Sequence, residues 1–367
     1  MTAITFADLF AGCGGLSQSF HGSRLFNQFL ATDYWKAAEE SYLRNHRGAK
    51  FELLNLEQKK EVETLTNILS GNVDLILGGP PCTGFSTLGK RQVGCAKSML
   101  VDVFIQICMD VSPKVILMEN VKTIRSKSHP KGGKVLDHVN KTLTRAGYEY
   151  RELTLKATDF GLGQTRERFF LLAVKKKNSS PTFLNETVNS VLSQKKSKHN
   201  TLYDLIGDLP KIEAGEGAEI MKHRRKYLYN HRAMNHSEKL IARLKHVPPG
   251  GGLMDVPRHL LTDHLRRMVS DKYGSGGHQK NIYGRMDWGK PSGTIVAGMD
   301  KITVGRFVHP DANRLLTPRE CARIQGFKDN FIFSGSLVTQ YYLIGNAVPR
   351  VFSEVWMKSL RKNWGLL

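Results

Sequence analysis

The segment Pro80-Pro81-Cys82 has the residue types that nucleophilic chemistry needs. Two prolines fix φ and stiffen the backbone directly before the cysteine, so its thiol would be held in one place. A cysteine attacks as the thiolate, and the nearby Lys90 and Arg91 could lower the pKa of Cys82. The alternative is a buried structural cysteine, which is the commonest fate of this residue type.

A carboxyl group and two guanidinium groups could assist such a nucleophile. Glu119-Asn120 follows the apolar run Val115–Met118. A carboxyl group at the end of a buried strand is partly withdrawn from water, which favours proton donation near neutral pH. Arg166 and Arg168 would project to one face of an extended segment. The alternatives are a helix cap or ion-pair partner for Glu119 and a solvated edge strand for the arginines.

A glycine-rich turn indicates a second ligand. Phe10-Ala11-Gly12-Cys13-Gly14-Gly15 follows a strand-like run, and its glycines allow a tight turn and close approach to a ligand. There is no complete G-x-G-x-x-G pattern and no Walker lysine, so pyrophosphate binding is the weaker interpretation. Asp33 falls at the end of the next strand, where nucleoside-binding sheets hold a ribose, and Tyr34 could stack on adenine. We therefore expect a nucleoside ligand.

Alternating apolar runs and helical patterns over residues 1–174 predict an α/β fold, a doubly wound and mostly parallel sheet. The candidate strands are Ile4–Phe6, Phe29–Thr32, Val73–Leu77, Val115–Met118 and Phe169–Val174. A helix is predicted over Val135–Arg145, with Gly147 as its stop, and another over Pro318–Ile324, with Thr317 as its cap. A final helix ends at Arg361-Lys362. The residues singled out above fall at the carboxyl ends of the strands, where ligands bind in such sheets.

The middle of the chain differs from the rest. Residues 175–313 hold 24 basic and 13 acidic side chains and nine of the thirteen histidines, with glycine-rich and proline-rich stretches. Basic and aromatic side chains are interleaved in Lys222–Tyr229. Such a stretch suits contact with the phosphates and nucleobases of a nucleic acid. We expect a second, smaller and irregular domain over 175–313, with 1–174 plus 314–367 as the catalytic domain.

Composition excludes several classes of protein. The net charge of +21, from 54 basic and 33 acidic side chains, indicates a polyanionic partner. The five cysteines form no C-x-x-C pair and no zinc-like cluster, so we expect neither a disulfide scaffold nor a metal. No apolar run approaches the roughly 20 residues that cross a bilayer, and no signal segment precedes the first strand. We expect a cytoplasmic protein without a membrane partner.

Six motifs occur in one order along the chain. They are Asp8–Gly15, Pro80-Pro81-Cys82, Glu119-Asn120-Val121, Gln164–Arg168, Arg319–Phe327 and Gly345–Pro349. In this order the chain resembles the DNA (cytosine-5) methyltransferases, in particular the prokaryotic modification enzymes. The resemblance implies a Rossmann-like methyltransferase domain, a target-recognition domain over 175–313, and methyl transfer from S-adenosylmethionine to carbon 5 of a flipped-out cytosine in double-stranded DNA.

The resemblance also implies roles for individual residues. S-adenosylmethionine, and its product S-adenosylhomocysteine, would contact Phe10, Gly12, Cys13, Gly14, Gly15, Asp33, Tyr34, Asn55, Leu56, Pro81, Leu100, Asn346 and Ala347. Catalysis would use Cys82 as nucleophile with Glu119, Asn120, Arg166 and Arg168. DNA would contact Ser86, Lys90, Arg91, Arg224, Arg225, Lys226, Tyr227 and Arg285. A cognate restriction endonuclease, acting independently, is a possible partner, and the protein would associate with the nucleoid through DNA.

Three departures from the family pattern and three rival functions stand beside this interpretation. Thr83 replaces the glutamine that commonly follows the cysteine in the family. Asn55 stands where an acidic residue usually meets the adenine amino group, and Lys328 stands where a proline is usual. An RNA (tRNA) cytosine-5 methyltransferase is the nearest rival. A catalytically idle DNA-binding regulator and a nicotinamide oxidoreductase are the others.

Overall fold

The computed structural model describes residues 3–81, 100–269 and 281–367. The predicted site residues Cys82, Ser86, Lys90 and Arg91 lie outside the described residues, as does Thr83.

Strands and helices alternate along most of the chain. The strands are β1 (Ile4–Leu9), β2 (Phe26–Asp33), β3 (Phe51–Leu53), β4 (Leu75–Gly78), β5 (Val115–Val121), β6 (Tyr148–Lys156), β7 (Glu167–Lys175), β8 (Gly217–His223) and β9 (Lys226–Arg232). The helices are α1 (Gln18–His21), α2 (Lys36–Asn45), α3 (Lys59–Leu69), α4 (Leu100–Val111), α5 (Val135–Arg145), α6 (Phe183–Leu192), α7 (Leu202–Ile206), α8 (Glu238–Leu244), α9 (Asp263–Met268), α10 (Pro318–Ile324), α11 (Leu337–Asn346) and α12 (Arg350–Asn363).

The first compact unit comprises Met1–Lys156, Glu167–Lys196 and Val348–Leu367. Its sheet has the strand order β3-β2-β1-β4-β5-β7-β6. Strands β1 to β5 pair in parallel, whereas β7 runs antiparallel between β5 and β6. The predicted α/β class with a mostly parallel, doubly wound sheet is confirmed by this topology.

The central strands are almost continuously apolar because they are covered on both faces. Every residue of β4 is buried, as are six of the seven residues of β5, which is typical of parallel strands between helices. One continuous core joins them to helices α3, α4 and α5. This core fixes the strand ends on which the candidate site is built.

Each of the five predicted strands overlaps a strand of the seven-stranded sheet, and two further strands of that sheet were not predicted. The helix over Val135–Arg145 has the predicted bounds, and Gly147 follows it with a positive φ of 79°. The two further strands are β3, which is only three residues long, and β6, whose sequence is mostly polar because it forms an edge of the sheet. Neither strand contains the apolar run that identified the others.

The second compact unit comprises Ala157–Arg166 and Ser197–Ala347. Residues 314–347, which the sequence analysis grouped with the catalytic domain, pack in this unit. Arg314 Nε donates to the carbonyl of Ile212 at 2.8 Å, and Arg319 Nε donates to that of Tyr229 at 2.7 Å. Both arginines are buried, so these bonds tie α10 to the rest of the second unit.

Helix α10 begins where its sequence predicts. Thr317 Oγ1 accepts from the backbone N–H of Glu320 at 3.2 Å, and the Glu320 carboxylate accepts from that of Thr317 at 2.7 Å. This is the reciprocal capping box expected of Thr-Pro-x-Glu. Glu320 also receives two bonds from the Arg314 guanidinium, each 2.8 Å long. Those charges hold the pKa of Glu320 at about 2 despite its burial.

In the part of the chain that the structure describes, no helix is long and apolar enough to cross a membrane. The same residues contain no cluster of three or more His, Cys, Asp or Glu side chains that could hold a metal ion.

Candidate active site at the carboxyl ends of the parallel strands

The ends of three neighbouring strands lie side by side. Leu9 at the end of β1 pairs with Gly78 at the end of β4, and Gly78 pairs with Met118 on β5. The residues that follow these positions are Phe10, Gly79-Pro80 and Glu119, so the predicted site residues meet at one edge of the sheet. Ligands of open α/β sheets bind at this edge.

Glu119 forms an ion pair with Arg168. The Arg168 Nε atom lies 2.7 Å from Glu119 Oε1, and the glutamate is only 7% exposed. Strand register explains the contact, because Arg168 on β7 is paired with Val121 on β5. Val121 and Glu119 are two residues apart and therefore share a face of the sheet. The guanidinium holds the carboxyl group in one orientation.

Asn120 joins the ends of β4 and β5. Its side-chain Nδ2 donates to the carbonyl oxygen of Pro80 at 2.7 Å, and its Oδ1 accepts from the backbone N–H of Val121 at 2.8 Å. Asn120 is buried, so this bond is shielded from water. It fixes the backbone two residues before Cys82.

Gly79 leaves the space that Glu119 occupies. A Cβ atom at position 79 would lie 3.2 Å from Glu119 Oε2, which is closer than most side-chain contacts. At Gly78 a Cβ would overlap the ring of Phe104 on α4. Glycines 78 and 79 therefore permit the close approach of β4, β5 and α4 at the site.

The glycine turn after β1 has an unusual backbone. Phe10, Gly12 and Gly14 have φ values of 57°, 55° and 89°, and such values strain any residue other than glycine. The backbone N–H of Gly12 donates to Asp33 Oδ2 at 2.9 Å, while Asp33 Oδ1 accepts from Trp35 N at 3.1 Å. Asp33 thus fixes the turn and the end of β2 together.

The glycine turn has free space on the side of Gly12 and packed side chains on the side of Gly14. A Cβ built on Gly12 would meet nothing within 4 Å, whereas one on Gly14 would overlap the imidazole of His46. Tyr34, 39% exposed, follows Asp33 directly. The turn therefore presents backbone to one side, next to a carboxylate and an exposed ring.

The other predicted cofactor residues of the first unit differ in burial. Leu56 and Leu100 are buried, and Pro81 is half-buried. Asn55 Oδ1 accepts from the backbone N–H of Glu57 at 3.0 Å. Cys13 is buried, and desolvation raises the pKa of its thiol to about 12. A Cys13 side chain in this state is a packing group and does not act as a nucleophile.

A buried polar layer under the turn was missed by the sequence analysis. The Asp8 carboxyl group is almost fully buried, and burial raises its pKa to about 7. Ser17 Oγ and Tyr42 Oη lie 2.9 Å apart, and the Tyr42 ring stacks on His46 with 4.0 Å between centroids. The one sequence signal was an aspartate within an apolar strand, because its partners Ser17 and Tyr42 lie 9 and 34 residues further along the chain.

Arg166 requires a correction. It was expected to take part in catalysis from behind Arg168, but its side chain is buried, its Nε donates to Gln164 Oε1 at 3.0 Å, and its other donors bind backbone carbonyls. Nη1 donates to Ala347 at 3.0 Å, and Nη2 donates to Gly345 at 2.9 Å and to Ile295. Arg166 thereby holds the end of α11, which carries Asn346 and is followed by Ala347, within the second unit.

Arg285 requires a second correction. It was expected to contact DNA, but it is buried, and its guanidinium donates to the carbonyls of Leu244, Val247, His309 and Ala312 at 2.6 to 2.8 Å. These bonds cross-link loops of the second unit. We therefore leave Arg285 out of the proposed DNA contacts.

The four hairpin residues expected at DNA are exposed. Arg224, Arg225, Lys226 and Tyr227 lie at the end of the β8–β9 hairpin. Arg224 Nη1 lies 3.3 Å from Asp208 Oδ2, a solvent-exposed pair that contributes little to stability.

Comparisons with known proteins agree with this architecture. The sequence model of the family described as C-5 cytosine-specific DNA methylase matches residues 4–362. The Type II methyltransferase M.DdeI of Desulfomicrobium norvegicum is 33% identical over 95% of this chain and 86% of its own length. The Type II methyltransferase M1.HphI of Haemophilus parahaemolyticus is 30% identical over 98% of this chain and 87% of its own length.

A solved structure shares the fold. It is that of an E. coli prophage protein described as a DNA modification methyltransferase, with a TM-score of 0.68 and 20% identity over 99% of this chain and 100% of that one. The resemblance, the enzyme class DNA (cytosine-5-)-methyltransferase and the fold class predicted from the sequence are confirmed. Since the family pattern spans nearly every residue from β1 to α12, the chain belongs to the C-5 cytosine-specific DNA methylases.

Proposed function

We propose that this protein transfers a methyl group from S-adenosylmethionine to carbon 5 of a cytosine within a specific sequence of double-stranded DNA. The observation that carries the proposal is the linkage of β4 to β5. Asn120 binds the carbonyl of Pro80, and Glu119 pairs with Arg168 at 2.7 Å. The acid and the residues that lead to Cys82 therefore share one edge of the sheet.

Cys82 is the proposed nucleophile. Its thiolate would add to carbon 6 of cytosine. This addition removes the aromaticity of the ring and places electron density on carbon 5. Glu119 would engage ring nitrogen 3 and deliver a proton there, with Arg168 holding the carboxyl group and the base oxygen. Loss of the carbon 5 proton to a base after methylation would restore the double bond and expel Cys82 as thiolate, while the proton on ring nitrogen 3 would return to Glu119.

The glycine turn is the proposed site of S-adenosylmethionine. The features that fit this ligand are the open space at Gly12, the Asp33 carboxylate next to it and the exposed ring of Tyr34. Asp33 would accept from the ribose hydroxyls with the carboxylate lone pairs that its bonds to backbone N–H groups leave over, and Tyr34 would cover the adenine. When bound, S-adenosylmethionine supplies an electrophilic methyl group. The roles of Asn55, Asn346 and Ala347 in this site remain predictions.

The target base must leave the helix for this chemistry. A stacked and paired cytosine hides carbon 6 from a thiol, so we propose that the base is flipped out of the duplex. The DNA contacts would come from Ser86, Lys90 and Arg91 and from the exposed hairpin residues Arg224, Arg225, Lys226 and Tyr227. In the cell the enzyme would modify the sequence that a separate restriction endonuclease cuts, or act alone.

A duplex that contains 5-fluorocytosine tests the proposal. Fluorine at carbon 5 blocks the final elimination, so an active Cys82 would form a covalent complex that survives denaturing electrophoresis. Cys82→Ala should form no complex and transfer no methyl groups, while S-adenosylhomocysteine still raises its melting temperature. Substantial turnover by Cys82→Ala would contradict the mechanism.

Measurements of methyl transfer, duplex binding and thermal stabilisation separate the rival functions. Equal methylation of tRNA with no reaction on duplex DNA would favour the RNA enzyme. Duplex binding without adduct formation by the wild-type chain would favour the idle regulator. Thermal stabilisation by NAD but not by S-adenosylmethionine would favour the oxidoreductase.

A further inference from the structure

The β8–β9 hairpin is a two-stranded ribbon that is anchored at one end and exposed at the other. At the anchored end, Asn230 Nδ2 donates to the carbonyl of Phe333 at 2.9 Å, and Asn230 Oδ1 accepts from its N–H at 3.0 Å. His231 Nδ1 lies 3.0 Å from Thr317 Oγ1. Both residues are buried, whereas residues 224–227 at the other end are exposed.

The turn of the ribbon retains two arginines where they cost stability. Arg224 and Arg225 have φ values of 46° and 64°, and His223 pairs with Lys226 across them. Two successive left-handed residues form a type I′ turn, which favours Asn-Gly. An arginine with a left-handed backbone conformation is strained and lowers stability. Folding alone would favour other residues at both positions.

One face of the ribbon exposes apolar and aromatic groups. Ile220 pairs with Tyr229 and Lys222 with Tyr227, so these four side chains share a face. Ile220 is 58% exposed and Tyr227 is 56% exposed. The opposite face contains Leu228, which is buried. The exposed face is thus the one available to a partner.

The charge and width of the ribbon favour duplex DNA as that partner. Residues 217–232 contain five lysines and arginines and one acid, Glu219. The major groove of B-DNA is about 12 Å wide and admits a two-stranded β-ribbon, whereas that of A-form RNA is too narrow for side chains to read.

We propose that the β8–β9 ribbon lies in the major groove of the target duplex and reads thymine there. Ile220, with the edge of Tyr227, contacts the methyl group of a thymine, which is the one apolar group that base pairs present in this groove. Arg224 and Arg225 contact the phosphates that flank it. The inference rests on the proposed function and adds a sequence-reading element to it.

Selection and binding experiments test the thymine contact without turnover. The preferred sequence is first selected from random duplexes, with S-adenosylhomocysteine present. Each thymine of that sequence is then replaced by uracil, which lacks only the methyl group. At one position we expect the wild-type Kd to rise about fourfold, the value of one buried methyl group. Ile220→Ala should bind the thymine and uracil duplexes equally.

A matched control is Leu192→Ala, since Leu192 is a 41% exposed leucine on α6 in the first unit. This variant should retain the wild-type preference for thymine. A selected sequence without A·T pairs, or a thymine preference that Ile220→Ala leaves intact, would overturn the proposal.

The double variant Arg224→Asn/Arg225→Gly tests the phosphate contacts. Asn-Gly suits the turn, so the melting temperature should be unchanged or higher. Duplex binding should weaken at least tenfold at low salt, and the slope of log K against log salt should fall by about two. Unchanged affinity and slope would overturn this part, and a protein or RNA that binds the ribbon in place of duplex DNA would overturn the whole. If these results hold but the wild type transfers no methyl group, the ribbon stands and the proposed function fails.

Discussion

Arg168 and Glu119 lie on adjacent antiparallel strands and meet through an ion pair of 2.7 Å. The arginine is mostly buried, so the pair is weakly screened by water. The register of β5 and β7 produces this contact, because Arg168 is paired with the residue two positions after Glu119. The orientation of the proposed acid is therefore a property of the sheet.

Removal of Arg168 should impair chemistry more than cofactor binding. We expect Arg168→Ala to lower kcat about 100-fold or more, since the carboxyl group loses the group that aligns it. The affinity for S-adenosylhomocysteine, measured by calorimetry, should change less than about twofold, because Arg168 does not contact the glycine turn.

The matched control for Arg168 is Lys114→Ala. Lys114 Nζ pairs with Asp74 at 2.9 Å before the start of β5, at the opposite edge of the sheet. Exposed pairs of this kind contribute at most about 1 kcal/mol, so kcat should be unaffected. An equal loss of kcat in both variants would indicate a general effect of charge.

Asn120→Asp should show separately how Asn120 positions the site and how it stabilises the fold. The change keeps the shape of the side chain but replaces the donor to Pro80 with an acceptor, so two oxygens would face each other. We expect kcat to fall at least tenfold and the free energy of unfolding to fall by about 1–3 kcal/mol. Urea unfolding and single-turnover methylation measure the two effects. Wild-type single-turnover rates would exclude a positioning role for Asn120.

The sequence predicted the parts of the fold that depend on local patterns. Helices α5 and α10 have their predicted bounds because a local signal lies next to each, Gly147 after α5 and the capping residue Thr317 before α10. The sequence placed Glu119 directly after one predicted strand and Arg168 directly before another, but only the structure shows that these strands are neighbours. Apolar patterning can identify a strand, whereas it does not give strand order.

The sequence predictions failed where side chains bind distant backbone. Arg166 and Arg285 are of a residue type that is common in DNA-binding and catalytic sites. Each nevertheless donates to backbone carbonyls that are 24 to 181 residues away in the sequence. A carbonyl acceptor leaves no trace in residue type. Counting arginines therefore overestimates the DNA-binding surface of this chain, because some of them are buried and hold loops together through bonds to backbone carbonyls.

Arg166→Met should act on stability. It removes the donors to Ile295, Gly345 and Ala347 and leaves buried carbonyls without them, which costs about 1–3 kcal/mol for each unsatisfied group. We expect a loss of at least about 3 kcal/mol in urea unfolding. Arg232→Ala, an exposed arginine in the same unit, is the control and should change stability by less than about 0.5 kcal/mol. Comparable stabilities for the two variants would show that the buried bonds are dispensable.

Asp8 and His46 should make stability depend on pH in opposite directions. In the folded chain burial raises the pKa of Asp8 from 3.8 to about 7, so the folded state keeps a proton that the unfolded chain loses. Stability from this group falls as pH rises from about 4 to about 7. Burial lowers the pKa of His46 from 6.5 to about 4, so its contribution rises with pH between those values.

The variant Asp8→Asn isolates the first effect. It cannot titrate, so it should lose the decline in stability with rising pH that Asp8 causes, a difference of up to about 4 kcal/mol between pH 4 and pH 8 for a shift of three pKa units. His46→Gln should change the slope in the opposite sense below pH 6.5. Urea unfolding at pH 4.5, 6 and 8 measures both slopes. Parallel curves for wild type and Asp8→Asn would mean that Asp8 is ionised beneath the glycine turn.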